Sequence, residues 1–163
     1  MINFLRKSIF VFLSIYLVFS LKSYAEDLDK GIQALINKNY EEALYYLSFY
    51  AVQGDDRAQY NLGVMYDNGK GVLKDSAEAV KWYRKAAGQR HVNAQFNLGL
   101  IYGNSVLKDP VLAHMWWNIA ASNGFEAAKK GRDAAEKLMT SEQLAEAQKL
   151  ARECIKKNYK DCG

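Results

Sequence analysis

The hexapeptide AQYNLG, Ala58 to Gly63, returns as AQFNLG at Ala94 to Gly99, with one aromatic residue exchanged for another. The correspondence extends well past six residues. Leu62, Gly63 and Tyr66 answer to Leu98, Gly99 and Tyr102. After a two-residue deletion, Val72–Asp75 returns as Val106–Asp109, and Ala79, Trp82, Ala86 and Ala87 match Ala113, Trp116, Ala120 and Ala121. A period in the mid-thirties marks an array of helix pairs, each too small to bury its own apolar face. The repetition therefore restricts the chain to an all-α architecture in which neighbouring pairs stack.

Each position has a physical reason. Ala58, Leu62 and Tyr66 recur every four residues and form one apolar stripe along a first helix. A glycine inside a helix costs up to about 1 kcal/mol, so its recurrence at Gly63 and Gly99 points to a close approach by a partner helix. Asp67–Gly71 (DNGKG) ends the first helix, because its glycines adopt positive φ. A second helix opens at Asp75, with Glu78 placed for a capping box, and its counterpart opens at Asp109–Pro110. Alanines and tryptophans then alternate, the large-and-small pattern that stacked helices require.

The ends of the chain read differently. Met1–Lys7 is a short cationic start, and Ser8–Leu21 is an apolar run of about 14 residues, too short for a membrane span of ~20. Ser23 and Ala25 are the small residues of a signal-peptidase site, which predicts cleavage between Ala25 and Glu26 and a periplasmic or secreted product without a stable membrane anchor. Arg6, Lys7 and Lys22 lie in that leader. Without them the formal +4 falls to 19 bases against 18 acids, and no basic stripe is left for nucleic acid. An exported chain meets oxidising conditions, which favours a disulfide between Cys154 and Cys162 over two free thiols; neither has a metal-ligand partner nearby. From Ala128 the repeat pattern fades. Thr140 and Gln143 form a capping-box pair, and Leu144, Ala147, Ala151 and Cys154 follow at helical spacing, as a helix covering the last repeat would need.

Taken together, Ala-x-x-x-Leu-Gly-x-x-Tyr, the Gly69-x-Gly71-Val72 loop, Asp75, Trp82-Tyr83 and Ala86-Ala87 resemble the Sel-one-like repeat (SLR) family, relatives of the tetratricopeptide arrays. The resemblance implies an α/α superhelical solenoid of SLR/tetratricopeptide-like helix pairs with a C-terminal helical cap. The segments would be a leader at 1–25, a degenerate repeat at 26–55, repeats at 56–91 and 92–127, and capping helices with a tail at 128–163. Arg90 departs from the pattern, standing where Gly54 and Gly124 keep the family's glycine.

Catalytic patterns are weak. The two histidines, His91 and His114, stand apart with no nucleophile motif beside them and are expected as surface or half-buried polar residues. Ser105–Lys108 satisfies the Ser-x-x-Lys motif, but the partner motifs Ser-Asp-Asn and Lys-Thr-Gly are missing from the sequence. The other repeat has Gly71 where Ser105 stands, before the same Val-Leu-Lys-Asp, so the tetrapeptide belongs to the loop. No catalytic residue, cofactor or metal is expected. The resemblance implies a protein–protein interaction module whose concave face carries Gln59, Tyr60 and Asn61 beside Gln95, Phe96 and Asn97. Amides can clamp a peptide backbone and flat aromatics add contact area, so these six are the candidate contacts for a protein or peptide partner. They are equally suited to tying one helix to the next. A peptidoglycan or oligosaccharide binder using the same groove, or a weak β-lactam-directed protein, is the alternative.

Overall fold

The computed structural model describes residues 24–104 and 108–162. Residues 1–23 of the expected leader, and Ser105, lie outside the described residues. The Ala25–Glu26 junction falls in the first described turn of helix α1 (residues 24–36), ahead of the buried Leu28. Among the described residues there are eight helices and no strand, and none of the helices is long and apolar enough to cross a membrane. The architecture is all-α, built of packed helical hairpins.

The chain divides into two compact units, residues 1–47 and 48–163, with the boundary inside α2 (Tyr40–Val52). In the first unit Leu28, Ala34, Ala43 and Leu47 form the core. A Cβ on Gly31 would stand 2.7 Å from Tyr46 Cβ, so glycine is what lets the two helices of this unit meet.

The second unit contains α3 (Asp56–Asn68), α4 (Ser76–Ala87), α5 (Val92–Asn104), α6 (Pro110–Ser122), α7 (Glu126–Glu136) and α8 (Ser141–Lys156). Helix α3 packs on α4, α4 on α5 and α5 on α6, while α6 carries both α7 and α8. The close approach expected at the helical glycines is present in both hairpins. A Cβ on Gly63 would lie 2.6 Å from Tyr83 Cδ1, and one on Gly99 would collide with the Trp117 indole. Gly131 of α7 reaches the same indole and would place a Cβ 2.9 Å from its Cδ2. The core around these rings holds Leu98, Met115, Trp116 and Ile119 with almost no exposure, at about 1.5–3 kcal/mol for each aliphatic side chain.

Helix ends follow the sequence closely. Asp75 Oδ1 accepts from the Ala77 and Glu78 amides, Asp109 Oδ1 accepts from Leu112, and Thr140 and Gln143 complete a reciprocal capping box. The Asp75 box is one-sided, because Glu78 turns to Lys81 at 2.6 Å instead of reaching back. Each hairpin loop closes through one equivalent bond, Asp75 N to Tyr66 O and Asp109 N to Tyr102 O, both 2.9 Å. Gly69 and Gly71 take φ of 66° and 73° in the first loop. His114 departs from expectation. It is fully buried, and its Nε2 meets Glu136 Oε1 at 3.0 Å, which joins α6 to α7.

Cys154 and Cys162 are bridged, with an S–S distance of 2.04 Å. The bridge turns the tail back over the array, with Asn158, Tyr159 and Asp161 all at positive φ. Tyr159 is buried there; its hydroxyl donates to Asn123 Oδ1 at 3.2 Å, and the Arg90 guanidinium lies 5.1 Å above its ring.

Candidate functional site

Two contacts recur in register at successive junctions of the second unit. The first is an amide latch. Gln59 Nε2 donates to Ala51 O at 3.1 Å, and its Oε1 accepts from Gln89 Nε2 at 2.9 Å. One repeat on, Gln95 Nε2 donates to Ala87 O at 3.3 Å, and its Oε1 accepts from Asn123 Nδ2 at 2.9 Å. The second is an aromatic pair between a first helix and the residue opening the next. Tyr60 stacks on His91 with centroids 4.5 Å apart, and Phe96 meets Phe125 at 4.8 Å.

The six candidate residues therefore separate into two groups. Gln59 and Gln95 are 4% and 0% exposed, with both ends of each amide bonded inside the protein, so their place is in the frame. Tyr60, Asn61, Phe96 and Asn97 are half-buried and reach the surface of α3 and α5. The two asparagines are identical in sequence and bonded differently. Asn61 Nδ2 donates to Arg57 O at 2.8 Å on its own helix, while Asn97 Nδ2 crosses to the Tyr83 hydroxyl on α4 at 3.1 Å. Burial raises the pKa of the Tyr60 hydroxyl, opposed by its contact with Asn97, and burial pushes Tyr83 well above the usual tyrosine range. Both phenols stay neutral donors at physiological pH.

Sequence reasoning missed the partners Gln89, His91, Asn123 and Phe125. They become visible when the repeat register is carried across the turn, which aligns Gln89 with Asn123 and His91 with Phe125.

His91 also opens α5, where its Nδ1 accepts from the Ala94 amide at 3.3 Å, a bond only the deprotonated nitrogen can make. Burial lowers its pKa, with Asp56 opposing. A histidine held below its unfolded pKa of ~6.5 stabilises the fold fully above that value, and the contribution is lost as pH falls through the folded pKa. Thermal unfolding at pH 7.5 and 5.5 should therefore show a larger drop for the parent than for His91→Asn, which keeps an acceptor and cannot titrate. Equal drops would remove His91 as the source. His114 is the other histidine of the sequence and is common to both proteins.

Among the described residues no cluster of His, Cys, Asp and Glu could hold a metal ion. The exposed elements of this face are flat rings and amides, which suit contact with another chain more than bond-breaking chemistry.

Comparison with known proteins agrees with this architecture. The chain is 38% identical to chitin synthase regulatory factor 3 of Schizosaccharomyces pombe over 68 residues, 42% of this chain and 7% of that protein. It is 34% identical to DAP3-binding cell death enhancer 1 of Rattus norvegicus over 62 residues, 38% of this chain and 12% of that protein. The chain thus spans a small part of the curated relatives it matches. Among solved structures, a protective antigen of uropathogenic Escherichia coli displaying an SLR fold superposes with a TM-score of 0.76 at 29% identity, covering 83% of this chain and 31% of that one. A Sel1 repeat protein from Oxalobacter formigenes superposes with a TM-score of 0.59 at 38% identity, covering 63% of this chain and 43% of that one. Residues 28–51, 56–91 and 92–125 each match the Sel1 repeat, more than half of the chain, and the protein belongs to the Sel1 repeat family.

Proposed function

We propose that this protein is an exported, non-catalytic adaptor that grips an extended segment of a partner protein on the face formed by α3 and α5. Sel1 repeats serve as interaction scaffolds, and the Cys154–Cys162 bridge is in keeping with an oxidising compartment outside the cytoplasm. The observation that carries the reading is the repeated pairing of Tyr60 with His91 and of Phe96 with Phe125. Each ring is braced from behind, so it presents contact area at low entropic cost. Beside each ring, Asn61 and Asn97 use an N–H within the protein and keep carbonyl capacity for a partner's backbone amides.

The test is a capture experiment on envelope extract, using tagged protein purified from a host expressing the full chain. Asn61→Ala/Asn97→Ala runs beside it, and Lys81→Ala/Lys85→Ala on α4 serves as a control. A partner retained by the parent and the lysine variant, and lost from an asparagine variant of unchanged helicity, is the expected result. Identical capture by all three proteins would remove this face from the interaction.

A further inference from the structure

Helix α2 carries apolar side chains on two opposite faces. Ala43, Leu47 and Ala51 are buried, while Tyr45, Phe49 and Val52 on the other side are 73%, 61% and 76% exposed. The helix contains no lysine or arginine. A helix that is apolar all round belongs to a covered position, so the outer stripe marks a surface that another element contacts.

The repeat register identifies the kind of element. Aligning Ala43 with Ala79 and Ala113 sets Tyr45 against Lys81 and Met115, and Phe49 against Lys85 and Ile119. On α4 this face is solvated, with Lys81 and Lys85 both exposed. On α6 it is apolar, and Met115 and Ile119 are fully buried. What separates the two helices is α8: α4 packs on α3 and α5, whereas α6 packs on α5, α7 and α8. The molecule thus covers an apolar outer face with a helix, whose own buried stripe is Ala147, Ala151 and Cys154. At these positions α2 has apolar residues like those of α6, not the lysines of α4.

Charge at the start of α2 narrows the occupant. A shallow hollow of about 530 Å³ there is lined by Asn39, Glu41, Glu42, Tyr45 and Tyr46, and the two glutamates are its only charged residues. Carboxylates beside tyrosine rings attract lysine or arginine and repel an anionic lipid surface. A second copy of α2 has no base to offer, and its three exposed side chains fall far short of the ~1,200 Å² of a stable dimer. We infer that the outer face of α2 docks a helix of a partner protein, apolar along one side and ending in lysines or arginines. Cations favour a helix C-terminus, so the partner runs antiparallel to α2, with its basic end over Glu41 and Glu42. This face shares no residue with α3 or α5 and does not depend on the adaptor reading.

The experiment is fluorescence anisotropy with the protein purified from a host expressing the full chain. The probe is a labelled helical peptide with leucine and alanine along one side, glutamine on the other and three lysines at its C-terminus. A twin peptide carries three glutamates in their place. The lysine peptide is expected to bind one to one, about tenfold tighter than its twin, and to weaken with added salt. Tyr45→Lys/Phe49→Lys installs the residues of α4 at exposed positions and should abolish binding with helicity unchanged. Glu41→Lys/Glu42→Lys should reverse the preference, so that the glutamate peptide binds tighter. The proposal is overturned if the glutamate peptide binds as well as the lysine peptide, if neither binds at millimolar concentration, or if Tyr45→Lys/Phe49→Lys binds like the parent. It also fails if the lysine peptide does not bind while the parent sediments as a dimer that Tyr45→Lys/Phe49→Lys does not form. Binding of phosphatidylglycerol vesicles in place of the peptide overturns it too, and would assign the face to lipid.

Discussion

Trp117→Ala is expected to lower the unfolding free energy by about 3–5 kcal/mol, the range for truncating a large buried aromatic residue. The ring is clasped on both sides, by Gly99 and Gly103 of α5 and by Gly131 of α7, and each of those glycines would place a Cβ against it. Removing it opens a void that rigid helix backbones border, so the site collapses poorly. Trp82→Ala makes the comparison. Trp82 is half-buried on α4 with the Lys85 ammonium 4.1 Å from its ring centroid, and its truncation should cost about 1–2 kcal/mol. Urea unfolding of both variants, followed by far-UV circular dichroism, measures the difference. If Trp82→Ala proves as costly as Trp117→Ala, the glycine clasp is not what fixes the last hairpin.

That contrast shows where the sequence was legible. The repeat matches Trp82 to Trp116 by identity, yet the rings that meet the helical glycines are one residue on, Tyr83 and Trp117, which share size and not identity. Features set within a few residues were readable: the capping aspartates Asp75 and Asp109, the Thr140–Gln143 box, and the glycines whose helical cost implied a close neighbour. The α8 stripe was readable too, since Ala147, Ala151 and Cys154 are all buried. Gln59 and Gln95 looked like surface amides because their partners, Gln89 and Asn123, lie in turns about thirty residues away. His114 was misread for the same reason, its carboxylate partner Glu136 being on another helix.

Arg90 is the departure from the repeat with the clearest consequence. Its φ of +71° matches the left-handed backbone of Gly54 and Gly124, at +99° and +91°, so a side chain has been kept where glycine is easier by about 1 kcal/mol. What it gains is the ring of Tyr159, which the Cys154–Cys162 bridge holds beneath it. Cys154→Ser/Cys162→Ser should lower stability by about 2–3 kcal/mol from the loss of a short closed loop alone. Arg90→Gly should then act differently in the two backgrounds. With the bridge intact, relief of the backbone is offset by a lost cation–π contact of about 0.5–1 kcal/mol, and the net change is near zero. Without the bridge Tyr159 is no longer held in place, and Arg90→Gly should stabilise by about 1 kcal/mol. A double-mutant cycle measured by chemical unfolding reads this coupling directly. An equal effect of Arg90→Gly in both backgrounds would mean that the tail has no part in keeping the arginine. A coupling of the expected sign would make Arg90 and the C-terminal bridge one feature, in which the tail reaches past α6 to secure the turn between α4 and α5.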